Sequence, residues 1–228
     1  MMSTPADRTV RDELLHAAVG LLNDHGPDAL QTRKVSAAAG TSTMAVYTHF
    51  GGMRELIAEV AREGRRQFDV ALTMPESDDP VADLLLSGVA YRRFAIQRPH
   101  LYRLMFGSTS AHGINAPARN VLNLTVADIG NEHPSFAHVV RNVHRSMLAG
   151  RISPDAAADD REVVATAAQF WTMTHGFVML ELAGFFGSDG SAIGPVLGTA
   201  TANALLALGD SLPLLEQSQR AMLARLQI

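Results

Sequence analysis

The 228-residue sequence contains no cysteine and only one lysine, Lys34, and both scarcities narrow what the protein can be. Without cysteine there is no disulfide scaffold, no thiolate metal site and no cysteine nucleophile. The absence of cysteine also suits a reducing compartment. The formal net charge is −4, so any surface that binds nucleic acid has to be a local one.

Long hydrophobic runs are also lacking. The first twelve residues carry no apolar targeting segment. The uncharged stretch Val163–Leu180 is close to membrane-spanning length, but five polar side chains interrupt it and Glu162 and Glu181 bracket it. It therefore favours a helix buried in protein, and we expect a cytoplasmic location.

Apolar residues recur with helical spacing almost throughout, and no segment alternates with period two, which predicts an all-α fold. Loops are predicted at residues 108–115 and 187–194. The polar segment 73–80, bounded by prolines, is the predicted boundary between an N-terminal domain, 1–72, and a C-terminal domain, 80–228. The predicted helices lie at about 9–25, 33–39, 43–50, 53–72, 81–97, 99–106, 116–129, 135–149, 155–186, 195–208 and 212–227.

The most informative stretch is 31–50, which predicts two short helices joined by a tight turn at Gly40. This geometry lays one helix in the major groove of DNA. Val35, Val46 and Phe50 are expected in the core. The second helix then presents short hydroxyls, a small apolar surface, a phenol and an imidazole, which suit base edges and phosphates. The residues predicted to face outward are Thr43, Met44, Ala45, Tyr47, Thr48 and His49.

Charge around this stretch differs from that of the whole chain. Between residues 30 and 68 there are six basic side chains and three acidic ones, a local net charge of +3. Such a local excess is typical of phosphate binding. The alternative is a solvated helix face, because Glu59 with Arg62 and Glu63 with Arg66 have the spacing of surface ion pairs. The basic residues are Arg33, Lys34, Arg54, Arg62, Arg65 and Arg66.

The first helix, the segment Thr32–Val35, Gly40 and above all Tyr47–Phe50 make residues 8–70 resemble the tetracycline-repressor (TetR) family. The resemblance implies a three-helix helix-turn-helix domain joined to a larger helical domain that binds ligand and dimerises. It implies backbone contacts from Thr32 and Arg33. Bases would be contacted by Thr43, Met44, Ala45 and Tyr47, phosphates by Tyr47 and His49, and Phe50 would lock the recognition helix into the core.

Two positions depart from the family's usual pattern. Thr41 follows the turn glycine where an apolar residue is usual, and Met53 stands where the fourth helix usually begins with lysine. The amides of Gly51 and Gly52 at that helix start are still suited to a phosphate, and Arg54 is the nearest cation. The loss of one cationic contact reduces the slope of log affinity against log salt concentration by about 0.9.

The C-terminal half is similar to one subgroup of these regulators, named for its Trp-His-Gly element. The similar stretches are 97–106 and Phe170–Gly176. Gly176 in a helix costs about 1 kcal/mol relative to alanine, which indicates a close helix approach or a cavity. We therefore expect a mostly apolar ligand pocket. The alternative is that these Met and aromatic residues, which recur at helical spacing, simply form part of the hydrophobic core. The expected lining is Tyr102, Met105, Phe106, Met147, Trp171, Thr174, His175 and Phe177.

Together these features predict a bacterial transcriptional regulator that binds a palindromic operator as a homodimer and is released from it by a small ligand. The open alternatives are an activator, a DNA-binding protein without an effector and, least favoured, an all-α enzyme. His175 has no titratable partner at helical spacing, so no enzyme activity is predicted. We expect no cofactor and no metal, because His133, His138 and His144 do not share a helix face.

Overall fold

The computed structural model describes residues 9–106 and 120–226, and every regular element within these ranges is helical. The predicted all-α fold is confirmed. The helices are α1 (Val10–His25), α2 (Thr32–Ala38), α3 (Thr43–Phe50), α4 (Met53–Leu72), α5 (Pro80–Gln97), α6 (Pro99–Met105), α7 (Val126–Glu132), α8 (Pro134–Leu148), α9 (Asp160–Leu182), α10 (Thr199–Ala207) and α11 (Leu212–Arg225).

Contacts between residues divide the chain into two compact units. Among the described residues, the first unit holds 9–67 and 97–106, and the second holds 68–96 and 120–226. The polar segment 73–80 therefore lies inside the second unit rather than between the two. Helix α6, although it follows α5 in the chain, belongs to the first unit. The assignment of functional domains to 1–72 and 80–228 stays a prediction.

The first unit is built from α1, α2, α3, α4 as far as Gln67, and α6. Helix α1 begins at Thr9, whose side chain accepts a hydrogen bond from the Asp12 amide, and ends at Gly26 with φ 76°. Close packing of α6 depends on Gly64 of α4. A Cβ at Gly64 would lie 2.8 Å from Leu101 Cδ1 and 2.9 Å from Met105 Cγ, so glycine permits an approach that no other residue would.

The second unit has its core around α8 and α9. An aromatic group surrounds Trp171 of α9, whose ring centroid lies 5.0 Å from that of Tyr91 and 5.4 Å from that of Phe136. Burying aliphatic and aromatic side chains together removes apolar area from water and is the main stabilising contribution. The fully buried members include Val81, Ile129, Val143, Met147, Ile152, Val163, Val164, Ala167 and Leu205.

Two predicted helices are shorter than expected because capping residues interrupt them. In place of one helix up to Ile129, a 3₁₀ turn at Val121–Asn123 precedes α7, which starts at a capping box formed by Thr125 and Asp128. Helix α9 starts only after the side chain of Asp159 caps it. The predicted loop at 108–115 and residues 116–119 lie outside the described residues.

The predicted helix 195–208 begins instead with a π-helical turn at Ile193–Gly198 and continues as α10. Pro195 has no amide hydrogen, so an ordinary helical hydrogen bond is missing at this point. The other predicted helices agree with the structure to within two residues at the ends that it describes. Over the same described ranges, the structure contains no helix long and apolar enough to cross a membrane.

The sequence predicts that Arg92, Arg93, Arg141 and Arg145 lie on solvated helix faces. Two of them instead form ion pairs with buried carboxylates. Arg92 donates to both oxygens of Glu181, at 2.8 and 2.6 Å, and Arg145 Nη1 lies 2.7 Å from Asp83 Oδ2. The prediction was wrong for these two side chains because their partners lie 89 and 62 residues away in the sequence. Arg93 and Arg141 are exposed, as predicted.

Candidate nucleic-acid interface

The turn between α2 and α3 is fixed by backbone hydrogen bonds around Gly40. The Gly40 amide donates to Ala37 O at 3.1 Å, and the Thr41 amide donates to Ser36 O at 2.9 Å. This pair of bonds is the Schellman arrangement, which needs a residue in the left-handed region. Gly40 has φ 65° and meets that need without a Cβ penalty. The chain can then start α3 immediately, with Ser42 extended at its N-cap.

Three side chains anchor the two short helices in the first unit. Val35 and Val46 are fully buried, and Phe50 is 8% exposed, as the sequence predicts. The small side chains of alanines 37–39 are expected from the sequence to let the two helices cross closely; Ala37 and Ala38 are exposed, and Ala39 is half-buried.

The opposite face of α3 is open to solvent. Met44 is 67% exposed and Tyr47 is 56% exposed, so this face presents two large side chains to solvent. Thr43, Thr48 and His49 are exposed with them, while Ala45 is half-buried. The Thr48 hydroxyl donates to Met44 O at 3.1 Å, so its hydrogen is engaged within the helix.

The basic side chains near α3 fall into two groups. Arg33, Lys34 and Arg54 are exposed, and within residues 9–106 and 120–226 none of them forms an ion pair with a carboxylate. Unneutralised cations of this kind are available for phosphates. Thr32, which was predicted to contact the DNA backbone, is half-buried in the first turn of α2.

The later arginines of α4, Arg62, Arg65 and Arg66, form the second group, and two of them are paired. Arg62 lies 2.8 Å from Glu59, and Arg66 lies 2.7 Å from Glu63, at the spacing expected for surface pairs. The Arg66 hydrogen bond holds the pKa of Glu63 below its ordinary value, with burial acting in the opposite direction. Arg65 is half-buried, and burial lowers its pKa; the sequence placed it on the exposed face.

The eight residues predicted to line a ligand pocket are divided between the two units. Tyr102, Met105 and Phe106 lie on or directly after α6, and the rings of Tyr102 and Phe106 are 4.8 Å apart. The other five lie on α8 and α9 in the second unit.

Of those five, Trp171 and His175 come together around Tyr91, a residue that the sequence analysis missed. The Tyr91 hydroxyl lies 3.0 Å from His175 Nδ1, and the Tyr91 ring meets Trp171 edge to face. Burial lowers the pKa of His175 below its ordinary value, so the imidazole is neutral at pH 7. No sequence spacing points to Tyr91, because it lies 84 residues before His175.

The remaining three have other environments. Phe177 stacks on Phe186 with centroids 5.0 Å apart, and the Thr174 hydroxyl donates to Phe170 O at 3.0 Å. Met147 is 1% exposed within the core of the second unit.

A small cavity of about 20 Å³ lies elsewhere in the second unit, next to α5, α8 and the segment after α4. That volume holds about one water molecule and is far below the ~300 Å³ of a ligand pocket. None of the predicted ligand-binding residues lines it. Its lining consists of Leu72, Met74, Pro75, Glu76, Asp83, Leu86, Ser87, His138, Arg141, Asn142 and Arg225. No group of three or more His, Asp or Glu side chains in the described part of the chain is placed to hold a metal ion.

Comparison with known proteins gives two family matches. The profile described as "Bacterial regulatory proteins, tetR family" matches residues 14–60, and the one described as "Tetracyclin repressor-like, C-terminal domain" matches residues 84–196. An uncharacterized HTH-type transcriptional regulator of Mycobacterium tuberculosis is 24% identical over 181 residues, which cover 76% of this chain and 71% of that protein.

Solved structures share the fold at low identity. A protein of unknown function from Rhodococcus sp. RHA1 is 24% identical with a TM-score of 0.68, over 92% of this chain and all of that one. The TetR family transcriptional regulator PfmR of Thermus thermophilus is 19% identical with a TM-score of 0.50, over 86% of this chain and 97% of that one. Since the two family profiles match consecutive parts of a chain with this helical fold and helix-turn-helix geometry, the chain belongs to the TetR family of transcriptional regulators.

Proposed function

We propose that this regulator is a repressor that binds a palindromic operator as a homodimer and is released by a small, largely apolar ligand. The observation that carries the proposal is the solvent-facing side of α3. Large side chains are exposed there, and three cations without carboxylate partners lie in the adjacent helices α2 and α4.

Within this proposal the exposed residues have two roles. Thr43, Met44, Ala45 and Tyr47 lie against base edges, because short hydroxyls and apolar groups suit bases and thymine methyls. The phosphate contacts come from cations, hydroxyls and the imidazole, which position the helix without reading sequence. These are Thr32, Arg33, Lys34, Tyr47, His49 and Arg54, and also Thr48 when its hydroxyl turns from Met44 O to a phosphate.

Dimerisation is supported by a stripe along α9 and a second one on α10. On α9 the exposed residues Gln169, Thr172, Gly176, Leu180 and Ala183 recur every three or four positions, so they share one helix face. Thr199, Asn203 and Ala207 do the same on α10. Two-fold pairing through such stripes would place two copies of α3 about 34–36 Å apart, or a multiple of that spacing, on DNA.

We assign the ligand site to the region of Trp171 and His175, as the Trp-His-Gly subgroup implies. Aromatic side chains around Trp171 suit an apolar ligand, and the hydroxyl and imidazole of Tyr91 and His175 offer one polar contact. Ligand binding would displace α4 and change the separation of the two recognition helices. To shift the ratio of released to operator-binding conformations from 1:99 to 99:1, the ligand must bind the released conformation about 10⁴-fold more tightly.

The DNA proposal is tested first with fragments of DNA that flank the protein's own gene, titrated with salt in a gel-shift or anisotropy assay. Saturable and salt-sensitive binding to a short palindrome is expected. Tyr47→Ala and His49→Ala are each expected to weaken that binding about tenfold, the loss of one good contact. His16→Ala is the matched control, since His16 is an exposed histidine on α1 that is not among the residues proposed to contact DNA, and it should leave affinity unchanged.

Wild-type affinity in both the Tyr47 and His49 variants would contradict the proposed docking of α3. If the gene's own flanks fail to bind, selection from genomic fragments with purified protein is the second measurement, and absence of any specific fragment would reject the proposal. A bound promoter that is transcribed more, rather than less, in the presence of the protein would replace the repressor with an activator.

The ligand proposal is tested through Trp171, which is the only tryptophan in the sequence and therefore reports on its own surroundings by fluorescence. An apolar effector is expected to change this emission and raise the melting temperature. At an effector concentration of 100 times Kd, binding stabilises the folded state by about 2.7 kcal/mol. Tyr91→Phe removes one hydroxyl and should weaken the effector by roughly two- to tenfold.

The same Tyr91→Phe variant should bind operator normally when no effector is present, which separates ligand recognition from folding. Equal loss of both functions would indicate that Tyr91, Trp171 and His175 are core residues only. If the effector binds without any change in Trp171 emission, the site lies elsewhere.

A further inference from the structure

The last turn of α3 carries both Tyr47 and His49, and its orientation depends on Phe50. Phe50 is the final residue of the helix and is 8% exposed, so its ring is the inward anchor of that turn. The helix ends directly after it, where the Gly51 amide donates to Tyr47 O at 2.9 Å and Gly51 adopts φ 78°. A small rotation of the Phe50 ring would therefore redirect the side chains proposed to contact DNA.

Arg11 of α1 contacts this anchor. Its guanidinium carbon lies 4.9 Å from the centroid of the Phe50 ring, in the range of a cation–π contact. The same side chain reaches α4, where Arg11 Nη2 lies 2.9 Å from Glu59 Oε1. One residue thus joins the first, third and fourth helices of the DNA-binding region, all within the first unit.

Glu59 holds Arg11 in this place and is itself held from the other side. Arg62 Nη2 lies 2.8 Å from Glu59 Oε1, and Arg62 Nε lies 3.1 Å from Oε2. The Arg62 hydrogen bond contributes most to holding the pKa of Glu59 below its ordinary value; burial opposes it, and Arg11 adds to it. The Glu59 carboxylate therefore stays ionised at neutral pH and holds the Arg11 guanidinium against the protein surface.

We propose that Arg11 is a positioning residue for the recognition helix: it clamps Phe50 against Glu59 and so sets the direction of Tyr47 and His49. This inference rests on the proposed binding of DNA through α3. Arginine suits the position because its planar guanidinium can stack on a ring and bond a carboxylate at once, which the compact ammonium of lysine does less well.

Arg11 differs in role from a phosphate contact because its charge is already paired with Glu59. Removing Arg11 should therefore weaken specific binding without changing the number of phosphate contacts. The slope of log affinity against log salt concentration should stay the same. A residue that touched phosphate would instead reduce the log–log slope by about 0.9 for each protomer.

The experiment compares Arg11→Met, Arg11→Lys and the control Arg62→Met in operator binding. Arg11→Met is expected to bind operator about three- to tenfold more weakly with an unchanged salt slope, and Arg11→Lys to lie between it and wild type. Arg62→Met also removes a partner of Glu59 but leaves Phe50 untouched, and it should bind within about twofold of wild type. Circular dichroism and melting curves check that all three remain folded.

A second readout needs no DNA. Hydrogen exchange of the Gly51 amide, which closes the last turn of α3, is expected to be faster in Arg11→Met than in wild type, with exchange in the middle of α1 unchanged. Wild-type exchange and affinity in Arg11→Met would overturn the proposal, and so would a reduced salt slope, because Arg11 would then be a phosphate contact. If wild type binds no DNA specifically, the proposed function fails as well; if Tyr47→Ala weakens binding but Arg11→Met does not, this inference alone fails.

Discussion

Asp83→Asn is expected to lower the free energy of unfolding by about 3–5 kcal/mol, because it removes one partner from a buried group of charges. Asp83 is 5% exposed near the start of α5. Its carboxylate accepts hydrogen bonds from the Ser77 amide at 3.0 Å and the Ser77 hydroxyl at 2.8 Å. Arg145 of α8 lies 2.7 Å away, and Arg225 of α11 bonds the other oxygen. An uncharged amide would remove the carboxylate that both arginines share, and Arg145 would keep only the exposed Glu76, 3.6 Å away.

The measurement is denaturant unfolding followed by circular dichroism, at one fixed protein concentration because a dimer's stability depends on it. Asp78→Asn is the matched control: Asp78 lies in the same segment but is exposed, so a change within about 0.5 kcal/mol is expected. Equal stability of the Asp83 variant and wild type would mean that the charged group contributes nothing net to the fold.

The effect of Asp83→Asn should also depend on pH. Burial acts to raise the pKa of Asp83, but the hydrogen bonds from Ser77, Arg145 and Arg225 outweigh it and hold the pKa below its ordinary value. The contribution to stability is therefore fully present above the unfolded pKa of about 3.9 and is lost as the pH falls through the folded pKa. The difference in stability between wild type and variant should narrow in that acidic range.

Gly176→Arg is expected to convert the proposed dimer into a monomer at micromolar concentration, as measured by light scattering or sedimentation. Gly176 lies in the middle of the exposed stripe on α9, and a Cβ there would meet no atom of the described residues within 4 Å. Among residues 9–106 and 120–226, no close helix approach explains this glycine, while pairing with a second copy would. A long charged side chain would then prevent the two helices from meeting.

Gly130→Arg is the control, because Gly130 is also an exposed helical glycine with nothing within 4 Å of its Cβ position, but on α7. That variant should remain a dimer. Loss of the dimer should also weaken operator binding, since each half-site would be bound separately. A Gly176→Arg protein that stays dimeric would place the interface on another surface.

The structure of residues 9–72 could be predicted closely because it depends on neighbours in sequence. Gly40 is the residue that a left-handed turn requires, and the spacing of Val35, Val46 and Phe50 places them on the buried side. Ion pairs between Glu59 and Arg62 follow from a separation of three residues on one helix. In each case the interacting groups lie within one or two helical turns, so the pattern of residues determines the contact.

The region proposed to bind ligand could be predicted less well because its contacts join distant segments. Tyr91 meets His175, and Arg92 meets Glu181, across more than 80 residues, and no local spacing indicates either pair. Similarly, the pattern 97–106 predicts a helix but not that α6 packs on α4 at Gly64 within the first unit. The role of Arg11 escaped the sequence analysis for the same reason: its partners lie on α3 and α4.

The sequence by itself therefore determined the all-α class, the helix-turn-helix and the side of α3 that faces solvent, because helical periodicity, capping and one obligatory glycine act over a few residues. Only the tertiary structure decided which arginines pair with buried carboxylates and which stay exposed, and to which unit each predicted pocket residue belongs. Those outcomes depend on which helices pack together, and packing selects partners by shape and charge complementarity across the whole chain rather than by position in the sequence.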